Sequence, residues 1–406
     1  MGKKAVRLVV AALALSGAVV VPGTVAGARP NRHNVLTLAV YGDAPYGTTP
    51  TDTAEFLATP SFIGSVNADP DVSRVVHVGD IHSGKQFCTE AYDWSIAGLW
   101  LKYTDPVVYT PGDNEWTDCH KANPAPPGGT GPVLGEGGGL YNPATGQIDY
   151  VKDPVTGQPV DYAKGDPLAN LDLVRSIFFP RPGQTLGANP VRVQSQALQF
   201  DRAYPSDARY VENVMWEQKG TVFVTLNLPG GSNNDADPWY KTPTASAAQT
   251  QEAADRSAAD LRWLDRAFAL AGQDKAKGVV IMEQADMWDL EGGAAHLTNY
   301  KPFVDSIAAH TGAFGKPVLL FNGDSHVYRS DNPLVVNAPC VLDGVATCTP
   351  VDSAQPYGYN VPNFHRVVVH GSTFPLEWLK LTIDPSADNP AGFNAFGPFS
   401  WQRMPQ

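Results

Sequence analysis

Acidic, amide and histidine side chains follow several apolar segments of this sequence, and such side chains can bind metal ions. The clearest case is Asp80, which follows the valine-rich run Val75–Val78 and a single glycine. Such a run is typical of a buried parallel strand, and the residue after it lies in the loop at the strand's carboxyl end. Because open α/β sheets place their chemistry at that edge, Asp80 is a candidate metal ligand. A lone Gly-Asp pair is also an ordinary turn or helix N-cap.

The same arrangement occurs four more times along the chain. An apolar run ends at an acid, an amide or a histidine within each of the segments Leu36–Asp43, Val107–Asn114, Val279–Asp286 and Val318–His326. The carboxyl ends of neighbouring parallel strands meet at one edge of a sheet. A shared cation explains why oxygen-bearing side chains accumulate there, whereas the alternative requires five separate solvated turns. The sequence therefore predicts a metal site at one edge of a sheet.

The composition suits one large α/β domain with an insertion. The chain has 406 residues, of which 43% are hydrophobic and 17% charged, and it contains 38 Gly and 35 Pro. We expect a single domain over residues 29–406, with a Gly/Pro-rich insertion at about 121–166. The insertion contains two Thr-Gly-Gln turns, each followed by Asp-Tyr, which predict paired hairpins. These hairpins form either a lid or a surface decoration.

The first 28 residues have the features of a secretory signal. Lys3, Lys4 and Arg7 precede the apolar run Leu8–Val21, and small residues up to Ala28 provide a cleavage site. The apolar run is shorter than the ~20 residues that a membrane span needs. We therefore expect cleavage near Ala28 and secretion to an extracellular or periplasmic compartment.

The net charge and the cysteines indicate which partners and which compartment suit this protein. The formal net charge is −12 at pH 7, so nucleic acid and anionic membranes would be repelled, and we expect neither as a partner. The even number of cysteines is consistent with an oxidising compartment. We predict the pairs Cys88–Cys119, which joins two loops at the same sheet edge, and Cys340–Cys348, which closes a short loop. The spacing lacks the CxxC pairs typical of a zinc site.

Helical patterns alternate with the apolar runs, as in βαβ units. The strongest helix is predicted over Ala247–Ala271, where apolar residues recur at three- and four-residue spacing. Near the carboxyl terminus, Asn363–His370 and Trp378–Ile383 are predicted as antiparallel strands that add to a second sheet. The predicted fold class is α/β, with two mixed sheets flanked by helices.

The order of these motifs resembles that of the calcineurin-like metallophosphoesterases, which include the purple acid phosphatases. The resemblance covers residues 35 to 384 and is carried by order and topology more than by residue identity. It implies a metallophosphoesterase-type βα sandwich. The motifs are Gly42-Asp43, Gly79-Asp80, Pro111-Gly112-Asp113-Asn114-Glu115, Glu283-Gln284-Ala285-Asp286 and Gly323-Asp324-Ser325-His326.

The resemblance implies a dinuclear phosphoesterase that hydrolyses phosphomonoesters or small phosphodiesters. In such sites two cations hold a bridging hydroxide for in-line attack on phosphorus and stabilise the developing charge. Carried over by position, Asp80 bridges the two cations, and Asp43 and His326 complete the first. The implied ligands of the second cation are Asp113, Gln284 and Asp324. The partner would be a small phosphoester substrate.

Several positions depart from the family pattern. Pro45 stands where a histidine ligand is expected, and Ser83 stands where some relatives have a tyrosine. Tyr46 or His82 can supply the missing ligand. In the third motif either Asp113 or Asn114 is the ligand, and in the fourth either Gln284 or Asp286 is.

These departures affect both the metal and the catalysis. They replace nitrogen by oxygen, which favours Mn²⁺, Mg²⁺ or Ca²⁺ at the second site, with Fe or Zn also compatible with the centre. Asn114 stands where the family's leaving-group histidine stands, and His82 is the candidate substitute for that proton donor. Arg329 is a candidate phosphate contact. The alternative function is a non-catalytic relative that binds a metal or another ligand.

Overall fold

A computed structural model describes residues 34–121, 141–233, 238–289, 293–343 and 358–406, without the side chains of 293–296. The predicted signal segment 1–28, residues 122–140 of the insertion and Cys348 lie outside the described residues. The predicted pair Cys340–Cys348 therefore remains a prediction. None of the helices in the described ranges is long and apolar enough to cross a membrane.

Two mixed sheets form the framework. The six-stranded sheet has the order Ala395–Phe396, Phe399–Pro405, Glu377–Ile383, Leu36–Tyr41, Val72–His77 and Val107–Tyr109, and its last three strands are parallel. The eight-stranded sheet has the order Val341–Leu342, Arg329–Asp331, Phe364–Val368, Val318–Asn322, Gly278–Met282, Thr221–Thr225, Val214–Gln218 and Gln194–Ser195. Its central four strands are parallel.

The two sheets pack face to face, with helices outside each. Along the strand Leu36–Tyr41, Leu38 and Val40 face the other sheet, whereas Ala39 and Tyr41 face the outer helices. This alternation follows from the two-residue period of a strand, and burial on both faces explains the continuous apolar runs. The long helices are Ala54–Asn67, Glu90–Trp100, Pro167–Phe178, Ala247–Gln273 and Gly293–Phe314. The predicted fold class, two mixed sheets flanked by helices, is confirmed.

Side chains at the helix starts explain where three of these helices begin. Thr89, Asp166 and Ser246 each accept a hydrogen bond from a backbone N–H in the first turn of the following helix. Such caps satisfy donors that have no partner inside the helix. The helix predicted at Ala247–Ala271 is present and extends to Gln273.

One topological prediction is wrong. The strands near the carboxyl terminus are not antiparallel neighbours, because Phe364–Val368 lies parallel to Val318–Asn322 in the eight-stranded sheet. Glu377–Ile383 instead crosses to the six-stranded sheet, where it is antiparallel to Leu36–Tyr41. Sequence periodicity reports burial along a strand and does not report which strand lies beside it.

Two local predictions concern the hairpins of the insertion and the disulfide Cys88–Cys119. In the insertion, Tyr141–Asn142 and Gln147–Ile148 form a short antiparallel hairpin, and a single bridge joins Lys152 to Pro159. The predicted disulfide Cys88–Cys119 is present. Its sulfur atoms lie 3.4 and 3.6 Å from the carbonyl oxygen of Asn114, so the disulfide packs against one of the motif loops.

Candidate metal centre

The predicted ligands come together because they follow neighbouring parallel strands. Tyr41 lies opposite His77, which lies opposite Tyr109, so the loops after these three strands start at the same level. In the other sheet Met282 lies opposite Phe321, so the loops after these two strands also start at the same level. These loops carry Asp43, Asp80, Asp113, Gln284, Asp324 and His326.

The closest group of potential ligands is Asp43, Asp80 and His326. One ligand atom of each lies within 4.8 Å of the others, and no other set of three or more His, Cys, Asp or Glu in the described ranges meets this criterion. The distance from His326 Nε2 to Asp43 Oδ1 is 3.7 Å. Burial lowers the pKa of His326 to about 4, so its imidazole is neutral at pH 7 and has a lone pair for a cation.

Asp43 provides one sign of a missing ligand. The side chain is fully buried, and burial raises its pKa. Its Oδ1 accepts a hydrogen bond from the backbone N–H of Asp324 at 3.0 Å, but its Oδ2 has no hydrogen-bond partner in the described part of the chain. A buried carboxylate oxygen without a partner is costly unless a cation binds it or the carboxyl group is protonated. The donor set of two carboxylates and one imidazole therefore fits a divalent metal ion.

Two glycines allow the backbone to approach Asp43 this closely. A Cβ atom at Gly323 or at Gly371 would overlap with the Asp43 side chain. Both positions therefore require glycine for steric reasons, independently of backbone conformation.

Four of the site residues have a left-handed backbone conformation. The φ angles are +46° at Asp43, +58° at Asp80, +73° at Asp324 and +61° at His326. Non-glycine residues rarely adopt this region, and such strain clusters at functional sites. Three of these residues, Asp43, Asp80 and His326, are the group whose potential ligand atoms lie within 4.8 Å of one another.

Asp80 lies at the centre of the hydrogen bonds of the site. Its Oδ1 accepts the backbone N–H of Asn114 at 3.2 Å, and its Oδ2 accepts the Asn114 amide at 2.8 Å. The Gln284 amide also donates to Oδ2, at 3.2 Å. Burial, followed by the negative charges of Asp113 and Glu115, raises the pKa of Asp80 well above its usual value.

Gln284 links Asp80 to Asp113. Its side chain is fully buried, and Nε2 also donates to Asp113 Oδ1 at 3.1 Å. Its Oε1 accepts the backbone N–H of Gly230. Gly230 belongs to a loop that the sequence interpretation did not include in the site, although the Pro-Gly-Gly run directly after an apolar segment was a usable signal.

Asp113 and Asp324 complete the acidic group. Burial raises the pKa of both carboxyls, and the charge of Asp118 adds to the effect on Asp113. Asp324 Oδ2 accepts the backbone N–H of Asp286 at 2.9 Å. Both carboxylates also lie close to Gly230, where an added Cβ atom would overlap with Asp324 Oδ1 and would be 3.0 Å from Asp113 Oδ2.

The alternative ligand Asp286 has a different set of contacts. Its carboxylate accepts hydrogen bonds from Arg366 and from the Ser325 hydroxyl, which lies at 2.9 Å. Arg366 in turn pairs with Asp331. Of the two candidates in the fourth motif, Gln284 is therefore the one in contact with Asp80 and Asp113.

Tyr46 and His82, the candidates for the missing ligand, lie in different surroundings. The Tyr46 hydroxyl accepts the Asn114 amide at 3.1 Å, and its ring packs edge-on against His326 at 4.6 Å. His82 is buried, with Nδ1 3.0 Å from the Ser83 carbonyl oxygen. Burial lowers the pKa of His82 to about 4, so its ring is neutral at pH 7. Its role as a proton donor stays a prediction.

A cleft of about 420 Å³ opens beside this group. Its walls carry both cationic and apolar side chains, together with two of the site residues. The lining includes Trp288, Asp324, Ser325, His326, Arg329 and Arg366. Such a cleft is large enough for a small organic phosphate.

The fold and the site together place a group of acidic residues and one histidine, a candidate metal centre, at the strand ends of a βα sandwich. No protein-family model and no curated protein matches the chain in sequence. Among solved structures, a purple acid phosphatase from yellow lupin (Lupinus luteus) seeds matches with 12% identity and a TM-score of 0.41. The match covers 91% of this chain and 51% of that one, so the chain spans about half the length of the lupin protein.

A dimetal phosphatase from Danio rerio also matches, with 10% identity and a TM-score of 0.43. That match covers 91% of this chain and 98% of the zebrafish protein. Both of these proteins are phosphatases. Similarity at this level assigns neither residues nor activity to the chain.

Proposed function

We propose that the chain is a metal-dependent phosphoesterase that hydrolyses phosphomonoesters or small phosphodiesters. The observation that carries the proposal is the unpartnered, fully buried Oδ2 of Asp43 beside Asp80 and His326. These three residues would hold a divalent cation. When bound, such an ion polarises a phosphoryl oxygen and lowers the pKa of a water molecule, which is the chemistry that phosphoester hydrolysis needs.

The cleft beside His326 is the proposed substrate site. Arg329 lines it, and a guanidinium group suits phosphate oxygens, whereas the guanidinium of Arg366 is fully buried and donates to Asp286 and Asp331. Both arginines also pair with Asp331, which fixes their position. The net negative charge of the chain favours a small substrate, since a large polyanion would be repelled beyond the cleft.

Secretion is part of the proposal. The sequence of residues 1–28 and the disulfide Cys88–Cys119 support it, because stable disulfides are rare in reducing compartments. A divalent metal with oxygen-rich ligands, such as Mn²⁺, Mg²⁺ or Ca²⁺, suits the acidic group, and the imidazole of His326 also suits Zn²⁺ or Fe.

A direct assay tests the proposed function. The full chain would be freed of metal with EDTA and then incubated with aryl phosphate mono- and diesters and Mg²⁺, Mn²⁺, Ca²⁺ or Zn²⁺ in turn. We expect hydrolysis that depends on the added metal, greatest for esters with good leaving groups because Asn114 replaces a proton donor. No hydrolysis with any of the four metals would favour a non-catalytic relative that binds a metal or another ligand.

Asn114 is proposed as a positioning residue, because its amide donates to both Asp80 and Tyr46. Removing such a contact to a ligand typically costs ~10–100-fold in metal affinity or activity. We expect Asn114→Ala to weaken metal binding by about this factor, measured by calorimetric titration with Mn²⁺. Asn189→Ala, at an exposed position, is the matched control and should bind as the unchanged chain does. Unchanged affinity in Asn114→Ala would contradict the assignment.

A further inference from the structure

The orientation of the Gln284 amide is fixed by one backbone group. The N–H of Gly230 can only donate a hydrogen bond, so the Gln284 atom that it contacts must be the carbonyl oxygen. The –NH₂ group then faces the opposite way, toward Asp80 and Asp113. An amide nitrogen has no lone pair to offer a cation, so Gln284 presents two donors and no ligand to the space between these carboxylates.

The amide also occupies that space. Nε2 lies 3.2 Å from Asp80 Oδ2 and 3.1 Å from Asp113 Oδ1. A divalent cation shared by the same two oxygens would lie roughly 2.0–2.6 Å from each, and it would compete with the amide for both. The partial positive charge of the amide N–H groups would also repel it.

The Gln284 side chain has little freedom to move away. A Cβ atom added at Gly79 or at Gly112 would overlap with the Gln284 side chain, which shows how closely the two backbone segments enclose it. The side chain is fully buried as well. Turning the amide over would place –NH₂ against the Gly230 N–H and carbonyl oxygen against two carboxylates, so both changes are unfavourable.

We infer that Gln284 takes the place of the second cation, so that the chain binds a single divalent ion at Asp43, Asp80 and His326. The inference rests on the proposed metal centre. It differs from what the motif order implies, which is a second ion held by Asp113, Gln284 and Asp324. The amide satisfies one oxygen of each carboxylate, Asp80 Oδ2 and Asp113 Oδ1, that a shared second ion would otherwise bind.

Counting bound ions tests this inference without relying on activity. The full chain would be freed of metal, equilibrated with Mn²⁺ and analysed by elemental mass spectrometry and electron paramagnetic resonance. We expect about one Mn²⁺ per chain, with the hyperfine pattern of an isolated ion. Gln284→His supplies an imidazole lone pair in place of the amide, and we expect it to raise the count about twofold, with the spectrum of an exchange-coupled pair.

Gln196→His is the matched control. Gln196 is also a buried glutamine, but it hydrogen-bonds to Asn213 and to the Ala259 carbonyl oxygen, and its change should leave the count at about one. If Gln284→His does not fold, the number of Mn²⁺ ions bound to the unchanged chain and their spectrum still test the inference. Two coupled ions in the unchanged chain would overturn the inference and leave the proposed function intact. One bound ion without hydrolysis would contradict the function alone, and no bound ion would contradict both.

Discussion

Asp80→Ala is expected to reduce metal-dependent hydrolysis by about 10³-fold or more. A bound cation typically supplies several kcal/mol of transition-state stabilisation, and each ~1.4 kcal/mol corresponds to tenfold in rate. Asp80 is within 4.8 Å of both other ligands and is the acceptor for Asn114 and Gln284, so its loss removes a ligand and the acceptor that orients two neighbours. The measurement is kcat/KM on an aryl phosphate, together with the number of Mn²⁺ ions bound per chain.

A stability measurement separates loss of the site from loss of the fold. Asp80 is a buried acid among other acids that also accepts hydrogen bonds from Asn114 and Gln284, so relief of charge repulsion should offset the lost hydrogen bonds and Asp80→Ala should change the thermal stability of the metal-free chain little. Asp201→Ala, which removes an exposed carboxylate, is the control and should retain full activity. Hydrolysis that survives Asp80→Ala in a folded chain would show that the metal centre has been assigned to the wrong residues.

Arg366→Met is expected to destabilise the chain by about 3–5 kcal/mol. Arg366 is fully buried and pairs with two carboxylates, donating to Asp286 and, through Nε and Nη2 at 2.9 Å each, to Asp331. Methionine has a similar length but no charge, so Asp286 would lose its pair with Arg366 and Asp331 would retain Arg329 alone of its two arginines. The pair thus costs far more to break than a surface ion pair, for which ~0–1 kcal/mol is typical.

Urea unfolding would measure this loss. The midpoint should fall while the slope stays constant, since the surface exposed on unfolding is unchanged. Arg192→Met, at an exposed arginine, is the matched control and should shift the midpoint little. A loss below about 1 kcal/mol in Arg366→Met would mean that the pair is no stronger than one at the surface.

The positions of the candidate ligands could be predicted because their signals are local. Each apolar run predicts a buried strand, and the polar residue after it must lie at the strand's end, so Asp43, Asp80 and His326 were identified from the sequence. The pattern of burial also gave the fold class. These features depend on periods of two residues and on the right-handed connection of parallel strands.

The features that could not be predicted from the sequence depend on contacts between distant parts of the chain. The direction of the Gln284 amide is set by Gly230, 54 residues earlier, and the pairing of Asp286 is set by Arg366, 80 residues later. Neither partner has a fixed spacing from its target, so the sequence could place Gln284 at the site but not show which atom it turns inward. The sheet to which Glu377–Ile383 belongs could not be predicted either, because its partner strand Leu36–Tyr41 is also distant in the sequence.

Gly323 and Gly371 bear on any attempt to transplant this centre into another scaffold. Copying only the proposed ligands Asp43, Asp80 and His326 would fail, because ordinary side chains at the two glycine positions would occupy the volume of the Asp43 carboxylate. A graft must carry both glycines with the ligands, together with backbone able to adopt positive φ at the three ligand positions. The minimal portable unit is therefore a set of loops and not a set of side chains.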